Sequence, residues 1–284
     1  MGPGFDALAV ALKVYLHCAF TAATRLSIRV SGRDAHLIST KEDNLIWQTA
    51  LATAARASRS LPAVDLEIVN EIPLGKGLGS SAAAIIAGVI IAERLLDLRW
   101  PASRILDEGA RLEGHPDNVA ACVLGSVTAS AVEPGGIARA VRLPMPGNID
   151  VAVIAPDYAL PTREARALLP EQYSMADAVW NVQRASLLIA ALATGDTSVF
   201  PTALDDRMHQ PYRAQLVPGL SEILRLRAPG LLGCALSGAG PAVIVFFEKG
   251  SNRVLELVRQ TYAMNGSTTE VVAEGVSVSG FEFL

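Results

Sequence analysis

Residues Pro73-Leu-Gly-Lys-Gly-Leu-Gly-Ser-Ser-Ala-Ala83 stand between an alternating run, Val64–Ile72, and a long apolar stretch, Ser81–Leu98. The first has the period of a strand and the second the length of a helix, so the segment reads as strand, glycine loop, helix. Three glycines let a backbone approach a ligand closely. The helix N-terminus offers unpaired N–H groups and a positive dipole end, and Ser80 and Ser81 add hydroxyls. That combination suits a nucleotide phosphate. Gly79 stands where a Walker A loop needs Lys, and Gly75-x-Gly77-x-Gly79 lacks the G-x-G-x-x-G spacing of a dinucleotide fingerprint. Composition alone supports equally well a plain turn joining a strand to a buried helix.

The remainder of the chain narrows the class. Its 284 residues are 51% hydrophobic and 18% charged, with 24 basic against 28 acidic side chains and a net charge of −4. Such a chain packs into one or two domains and is neither disordered nor a nucleic-acid binder. Cys18, Cys122 and Cys234 form no spaced pair, so a disulfide framework and a zinc knuckle are not indicated and a reducing compartment is. The N-terminus carries no targeting signal, and the uncharged stretch Ala228–Phe247 is broken by Pro229, Gly230, Gly233, Gly238, Gly240 and Pro241. We therefore expect a cytoplasmic protein without a membrane span.

Strand patterns fall at Arg25–Ser31, Val64–Ile72, Ile149–Ala155 and Ala242–Phe247, with a last strand at Glu270–Val278. Helical patterns fall at Asn44–Ala57, Ser81–Leu98, Met175–Thr194 and Arg253–Asn265. Glycines at 195 and 266 close the last two, as helix ends often require. The Gly/Pro-rich segment Val132–Asn148 suggests a joint, giving domains 1–148 and 149–284. The mixed order of elements predicts α+β layers and not a doubly wound sheet.

The glycine loop, with Pro at its head and Ser-Ser-Ala-Ala at its tail, resembles the second motif of the GHMP kinase superfamily, which phosphorylates small alcohols and acids from ATP. Gly2-Pro-Gly-Phe-Asp-Ala-Leu8 resembles the end of the first motif, and Leu236-Ser-Gly-Ala-Gly-Pro241 the third. Glu113-Gly-His-Pro-Asp-Asn-Val-Ala120, with Leu124-Gly125, is similar to the middle motif in its homoserine kinase version. Thr162–Pro170 and Asp206–Arg213, with Pro218-Gly219, are also similar to homoserine kinase segments. The resemblance spans nearly the whole chain. It implies a two-domain fold: an N-terminal β/α half like the second domain of ribosomal protein S5, which binds ATP, and a ferredoxin-like C-terminal half.

The resemblance also implies roles. The whole matched loop, Pro73, Leu74, Gly75, Lys76, Gly77, Leu78, Gly79, Ser80, Ser81, Ala82 and Ala83, is expected to bind ATP. Homoserine is a zwitterion with a terminal hydroxyl, so its kinase needs a cationic clamp, an acceptor for the ammonium and a group that aims the hydroxyl. Arg166 and Arg213 lie in the matched runs and suit the carboxylate, since guanidinium grips it bidentately. Asp6 is matched to the ammonium, with capping of the following segment as the alternative. His115 is placed near the substrate and Asn118 is taken to hold the hydroxyl, while Asp117 reads as a helix cap. Ser81 and Glu113 would hold Mg²⁺ on the ATP phosphates. Thr162 adds a hydrogen bond, and Lys76 reaches either a phosphate or water. No residue is assigned as general base; positioning carries the transfer, with the γ-phosphate as proton acceptor. His36 and His209 read as structural.

One departure stands out. In the family an opening strand and a Pro-x-Ser-x-Asn-Leu stretch precede the first motif, and here Met1 stands where the Leu belongs. A start assigned at a Leu codon and a real truncation both account for it. The activity expected is phosphorylation of L-homoserine for threonine biosynthesis. Other GHMP kinases, acting on a mevalonate-type or sugar substrate, and a non-catalytic nucleotide-binding protein remain the alternatives. Dimers are common among such enzymes, although no stripe marks an interface.

Overall fold

The computed structural model describes residues 1–283. In chain order the N-terminal elements are β1 (Leu8–Val10), β2 (Leu16–Ala23), β3 (Ser27–Gly32), α1 (Leu45–Arg56), β4 (Ala63–Asn70), α2 (Ser80–Leu95), α3 (Ala102–Glu113), α4 (Asp117–Leu124), β5 (Val127–Val132) and β6 (Ala138–Leu143). They are followed by β7 (Ile149–Pro156), α5 (Thr162–Ala167), α6 (Met175–Thr194), α7 (Phe200–Ala203), α8 (Gln210–Arg213), α9 (Leu220–Arg225), β8 (Leu231–Leu236), β9 (Val243–Glu248), α10 (Val254–Met264) and β10 (Thr269–Glu274).

Alternation along β4 buries Val64, Leu66 and Ile68 and leaves Glu67 and Val69 exposed. This strand is the centre of a sheet ordered β2-β4-β3, antiparallel to β2 and parallel to β3. Its apolar face takes α1 and α2 through Ile46, Trp47, Ala50 and Ile91. The other flank of α2 packs on α3 and α4 through Ile86, Val89, Leu106 and Val119. A helix covered on both flanks has to be apolar nearly all round, as this one is. Each such side chain withdrawn from water contributes about 1.5–3 kcal/mol, which fixes the helix whose N-terminus carries the glycine loop.

The unbroken apolar run at β7 has a matching cause: its sheet is covered on both faces. Val151 and Val153 pack towards α6 and α7 with Leu188, Phe200 and Leu204, while Ala152 and Ile154 pack with Leu220, Ile223, Val254 and Val258. The sheet order β10-β7-β9-β8, antiparallel throughout, is that of a ferredoxin-like half. A smaller antiparallel sheet, β1-β5-β6, joins the two halves, since Leu8 and Val127 share a core with Val151, Val153 and Phe246. The fold is therefore the two-part α+β arrangement expected.

The sequence reading missed several elements and misplaced some ends. Strand β4 stops at Asn70, because Asn70 turns its side chain onto Ile72 and Arg33 backbone groups and closes the loop there. The last strand ends at Glu274, before Gly275 in left-handed conformation. β6 lies inside the segment taken as a joint, its short Ala-Arg-Ala-Val-Arg-Leu pattern hidden between glycine and proline clusters. The chain then returns: the Phe281 N–H donates to Cys122 O of the N-terminal half at 2.9 Å. Among the described residues the three cysteines are free, and no helix is long and apolar enough to cross a membrane.

Candidate active site

The glycine loop is fixed from both halves. Gly79 adopts φ +74° immediately before α2, a conformation that favours glycine. At Gly77 a Cβ would lie 2.1 Å from Ser237 O, so only glycine lets the loop Leu236–Pro241 come this close. Ser237 Oγ donates to Gly77 O at 2.9 Å and the Leu160 N–H donates to Gly75 O at 2.8 Å. Lys76 requires a correction: it is 9% exposed, and Nζ donates to Pro156 O and Tyr158 O, each at 2.6 Å. Burial lowers its pKa. Its ammonium ties the loop to the end of β7 through two of its three N–H groups and does not face open water.

The apolar members of the loop have a structural use of their own. Leu78 is half-buried against the core cluster of Leu8, Val127 and Val153. Ala82 is fully buried, in the cluster of Ile85, Leu106 and Val119. Leu74 is half-buried, and its N–H is already committed to Asp34 Oδ2 at 2.9 Å. Burial of their apolar carbons against other carbons is favourable, whereas contact with a hydrated phosphate is not. Leu74, Leu78 and Ala82 therefore anchor the loop with their side chains, and only main-chain groups of Leu78 and Ala82 remain to meet an anion. Pro73 is buried and has no N–H to give, and the Ala83 N–H donates to Gly79 O at 3.0 Å.

Next to the loop, Ser81 Oγ in the first turn of α2 donates to Glu113 Oε2 at 2.7 Å. Glu113 ends α3, where Gly114 in left-handed conformation turns the chain towards α4. His115 follows; its Nε2 lies 3.9 Å from Glu113 Oε1 and its Nδ1 2.7 Å from Asp117 Oδ1. Pro116, not Asp117, occupies the cap position of α4. The expected cap role of Asp117 is thus replaced by a hold on the His115 ring. That hydrogen bond raises the His115 pKa against the opposing effect of burial. Burial pushes the Asp117 carboxyl up, and His115 together with the Asn118 N–H more than reverses this, leaving it lowered. The Asn118 side chain lies against the loop, 3.6 Å from where a Cβ on Gly79 would be.

Asp6, with φ +53°, brings its carboxylate within 4.8 Å of the His115 and Asp117 ligand atoms. Arg166 on α5 grips it with NH1 and NH2, both at 2.9 Å, which raises the arginine pKa. The two residues matched to opposite ends of a zwitterion thus hold each other. Both Arg166 and Arg213 lie over the Phe5 ring, with Cζ 5.1 and 5.3 Å from its centroid. Arg213 is only 2% exposed, yet its hydrogen bonds go to neutral acceptors: Nε to Ala165 O, and NH1 to Gly238 O and His209 Nδ1. Burial, followed by repulsion from Arg166, lowers its pKa. Its NH2 group makes no hydrogen bond among the described residues. Thr162 is exposed at the first position of α5, two residues past the Leu160 tie.

Sequence reasoning missed the layer behind Arg213. His209 is buried, stacked on Phe5 at 5.2 Å and bonded to Arg213, and Asp206 holds the turn beneath it through the Met208, His209 and Gln210 N–H groups. The four-residue spacing of His209 and Arg213 within one matched run was the available signal. His36 is exposed in a 3-10 turn, Ala35–Leu37, and makes no side-chain hydrogen bond among the described residues.

In a single row the site therefore carries a glycine loop, a hydroxyl and carboxylate pair, a histidine and carboxylate pair and two guanidinium groups. Known proteins share the chain that builds it. The profile of the GHMP kinases N terminal domain matches residues 44–126, and that of the GHMP kinases C terminal matches 188–263. Homoserine kinase of Solibacter usitatus is 62% identical over 282 residues, 99% of this chain and 93% of that protein. Homoserine kinase of Deinococcus radiodurans is 39% identical over 283 residues, covering 99% and 92%. The crystal structure of homoserine kinase from Cytophaga hutchinsonii superposes with a TM-score of 0.81 at 26% identity, over 98% of this chain and 90% of that one. With identity at this level along the full length, and the motifs gathered in one site, the chain belongs to the homoserine kinase family of the GHMP kinases.

Proposed function

We propose that the protein transfers the γ-phosphoryl group of ATP to the side-chain hydroxyl of L-homoserine, giving O-phospho-L-homoserine and ADP, as a step of threonine biosynthesis. The observation that carries this reading is Arg213: a guanidinium buried with only neutral partners, its NH2 group uncommitted, beside the Asp6–Arg166 pair. Such a cation lacks an anion, and a carboxylate supplies it with bidentate geometry. Asp6, aimed by Arg166, has lone pairs left for the ammonium. The zwitterion is held at both ends, and its hydroxyl is left to point along the row towards Asn118 and the loop.

ATP lies with its phosphates on the loop of residues 73–83, served by the backbone beyond Leu74, the α2 N-terminus and Ser80. Ser81 Oγ and Glu113 Oε2, 2.7 Å apart, are hard oxygen donors. Both suit a hard divalent cation, so this pair would hold Mg²⁺, which would neutralise charge on the phosphates. Asn118 orients the hydroxyl, Thr162 and His115 add hydrogen bonds, and the proton passes to an oxygen of the transferred phosphoryl as the new O–P bond forms and ADP leaves. The same reading divides the chain into domains 1–148 and 149–284 and takes the enzyme to work in the cytoplasm, as a homodimer.

The test is ADP release with Mg-ATP and a panel of L-homoserine, mevalonate, shikimate and galactose. Turnover confined to homoserine is the expected result. Turnover of another alcohol, or of none by a folded protein, overturns the reading.

A further inference from the structure

We propose that His209, neutral and carrying its proton on Nε2, is the positioning residue that aims the Arg213 guanidinium at the substrate side of the site. The proposal rests on the reading of Arg213 as a carboxylate clamp. His209 is 1% exposed and lies between a backbone carbonyl and a guanidinium: Nε2 is 2.7 Å from Gly2 O, and Nδ1 is 3.1 Å from Arg213 NH1. A carbonyl only accepts and a guanidinium only donates, so the partners fix the tautomer. Nε2–H donates to Gly2 and Nδ1 accepts from Arg213.

Consequences follow for the arginine. Both hydrogens of NH1 are consumed, one by His209 and one by Gly238 O, and Nε–H goes to Ala165 O. Three neutral acceptors on three different segments thus fix the plane of the guanidinium and leave NH2 as the only donor for a ligand. Phe5, stacked on the imidazole, closes the third side, and Asp206 anchors the backbone of residues 208–210 below. Asp206 Oδ2 also lies 3.5 Å from Nε2. Burial favours the neutral ring, its pKa lowered to about 4, which agrees with Nδ1 as the acceptor for Arg213. A protonated Nδ1 would face the arginine donor to donor and turn NH2 out of line.

Two substitutions separate this role from simple packing. Asn places its carboxamide oxygen where Nδ1 stands, whereas Gln places its NH2 where Nε2 stands. We expect His209→Gln to raise the KM for L-homoserine about tenfold or more, with the KM for ATP unmoved and kcat within about threefold. His209→Asn should recover most of that loss. Equal effects of the two variants, or a rise shared equally with ATP, would overturn the proposal. Nitrogen-15 spectra of the full-length protein with labelled histidine supply a readout independent of substrate and of variant folding. The Nε2–H tautomer at neutral pH is expected, and a protonated Nδ1 there refutes the assignment. Failure of the unmodified protein to phosphorylate homoserine would sink the substrate reading, while the tautomer would still test the hydrogen bonds assigned to His209.

Discussion

Arg166 holds both carboxylate oxygens of Asp6 at 2.9 Å, joining the first turn of the chain to α5 across 160 positions. The pair is more than a surface ion pair, because Asp6 also faces His115 and Asp117, and Arg166 shares the Phe5 ring with Arg213.

Removing the Asp6 charge should therefore affect the substrate and not the fold. For Asp6→Asn we expect the KM for homoserine to rise roughly 10–30-fold, the lower end for a charge contact that is only partly buried. Thermal stability should change little, since a half-exposed pair contributes about 0–1 kcal/mol. Steady-state kinetics with a melting curve checks both; an unchanged KM would remove Asp6 from the site.

Arg213→Lys keeps the charge and loses the fork. A lysine ammonium cannot serve Ala165 O, Gly238 O, His209 Nδ1 and a carboxylate together, so homoserine binding should weaken by about 2–5 kcal/mol. Stability should fall as well, by about 1–3 kcal/mol for each buried acceptor left unpaired. An equal loss of ATP affinity would contradict the clamp.

The Ser81–Glu113 pair predicts a magnesium phenotype. Ser81→Ala and Glu113→Gln should raise the Mg²⁺ concentration for half-maximal rate about 10–100-fold at fixed ATP, without unfolding the protein. Initial rates across a magnesium series decide it, and superimposable curves would place the ion elsewhere.

Two histidines predict opposite pH effects on stability. The His115 pKa is raised in the fold, so its contribution is full below the ordinary value of 6.5 and is lost as pH climbs through the raised one. Asp117, lowered from 3.8, contributes above that value and loses its contribution as pH drops through the lowered one. His209 is lowered to about 4, so its contribution is full above 6.5 and declines as pH falls from 6.5 towards 4. Urea midpoints from pH 4.5 to 9 should show Asp117→Asn removing the alkaline decline and His209→Asn reducing the acid slope relative to the unmodified chain. Parallel curves for all three proteins would mean that neither pair is formed.

What the sequence determined was local. The glycine loop, the alternation of Val64–Ile72, the apolar Ser81–Leu98 helix and the doubly covered Ile149–Ala155 strand are written in short-range periodicity and turn chemistry, which depend on neighbours in the chain. The matched runs likewise placed Asp6, Glu113, Asn118, Arg166 and Arg213 among the candidates. Their division of labour was decided only by contacts between distant segments. Within the loop itself, packing turned Leu78 and Ala82 towards the core and left Ser81 exposed. Lys76 was drawn onto the carbonyls of Pro156 and Tyr158, 80 and 82 positions away. Asp6 found Arg166, and His209 was placed between Gly2 and Arg213, 207 positions from one and four from the other. A side chain's hydrogen-bond partner is set by which backbone atoms packing brings within 3 Å and by which of them water can no longer reach. Neither quantity exists until the two halves have closed on each other.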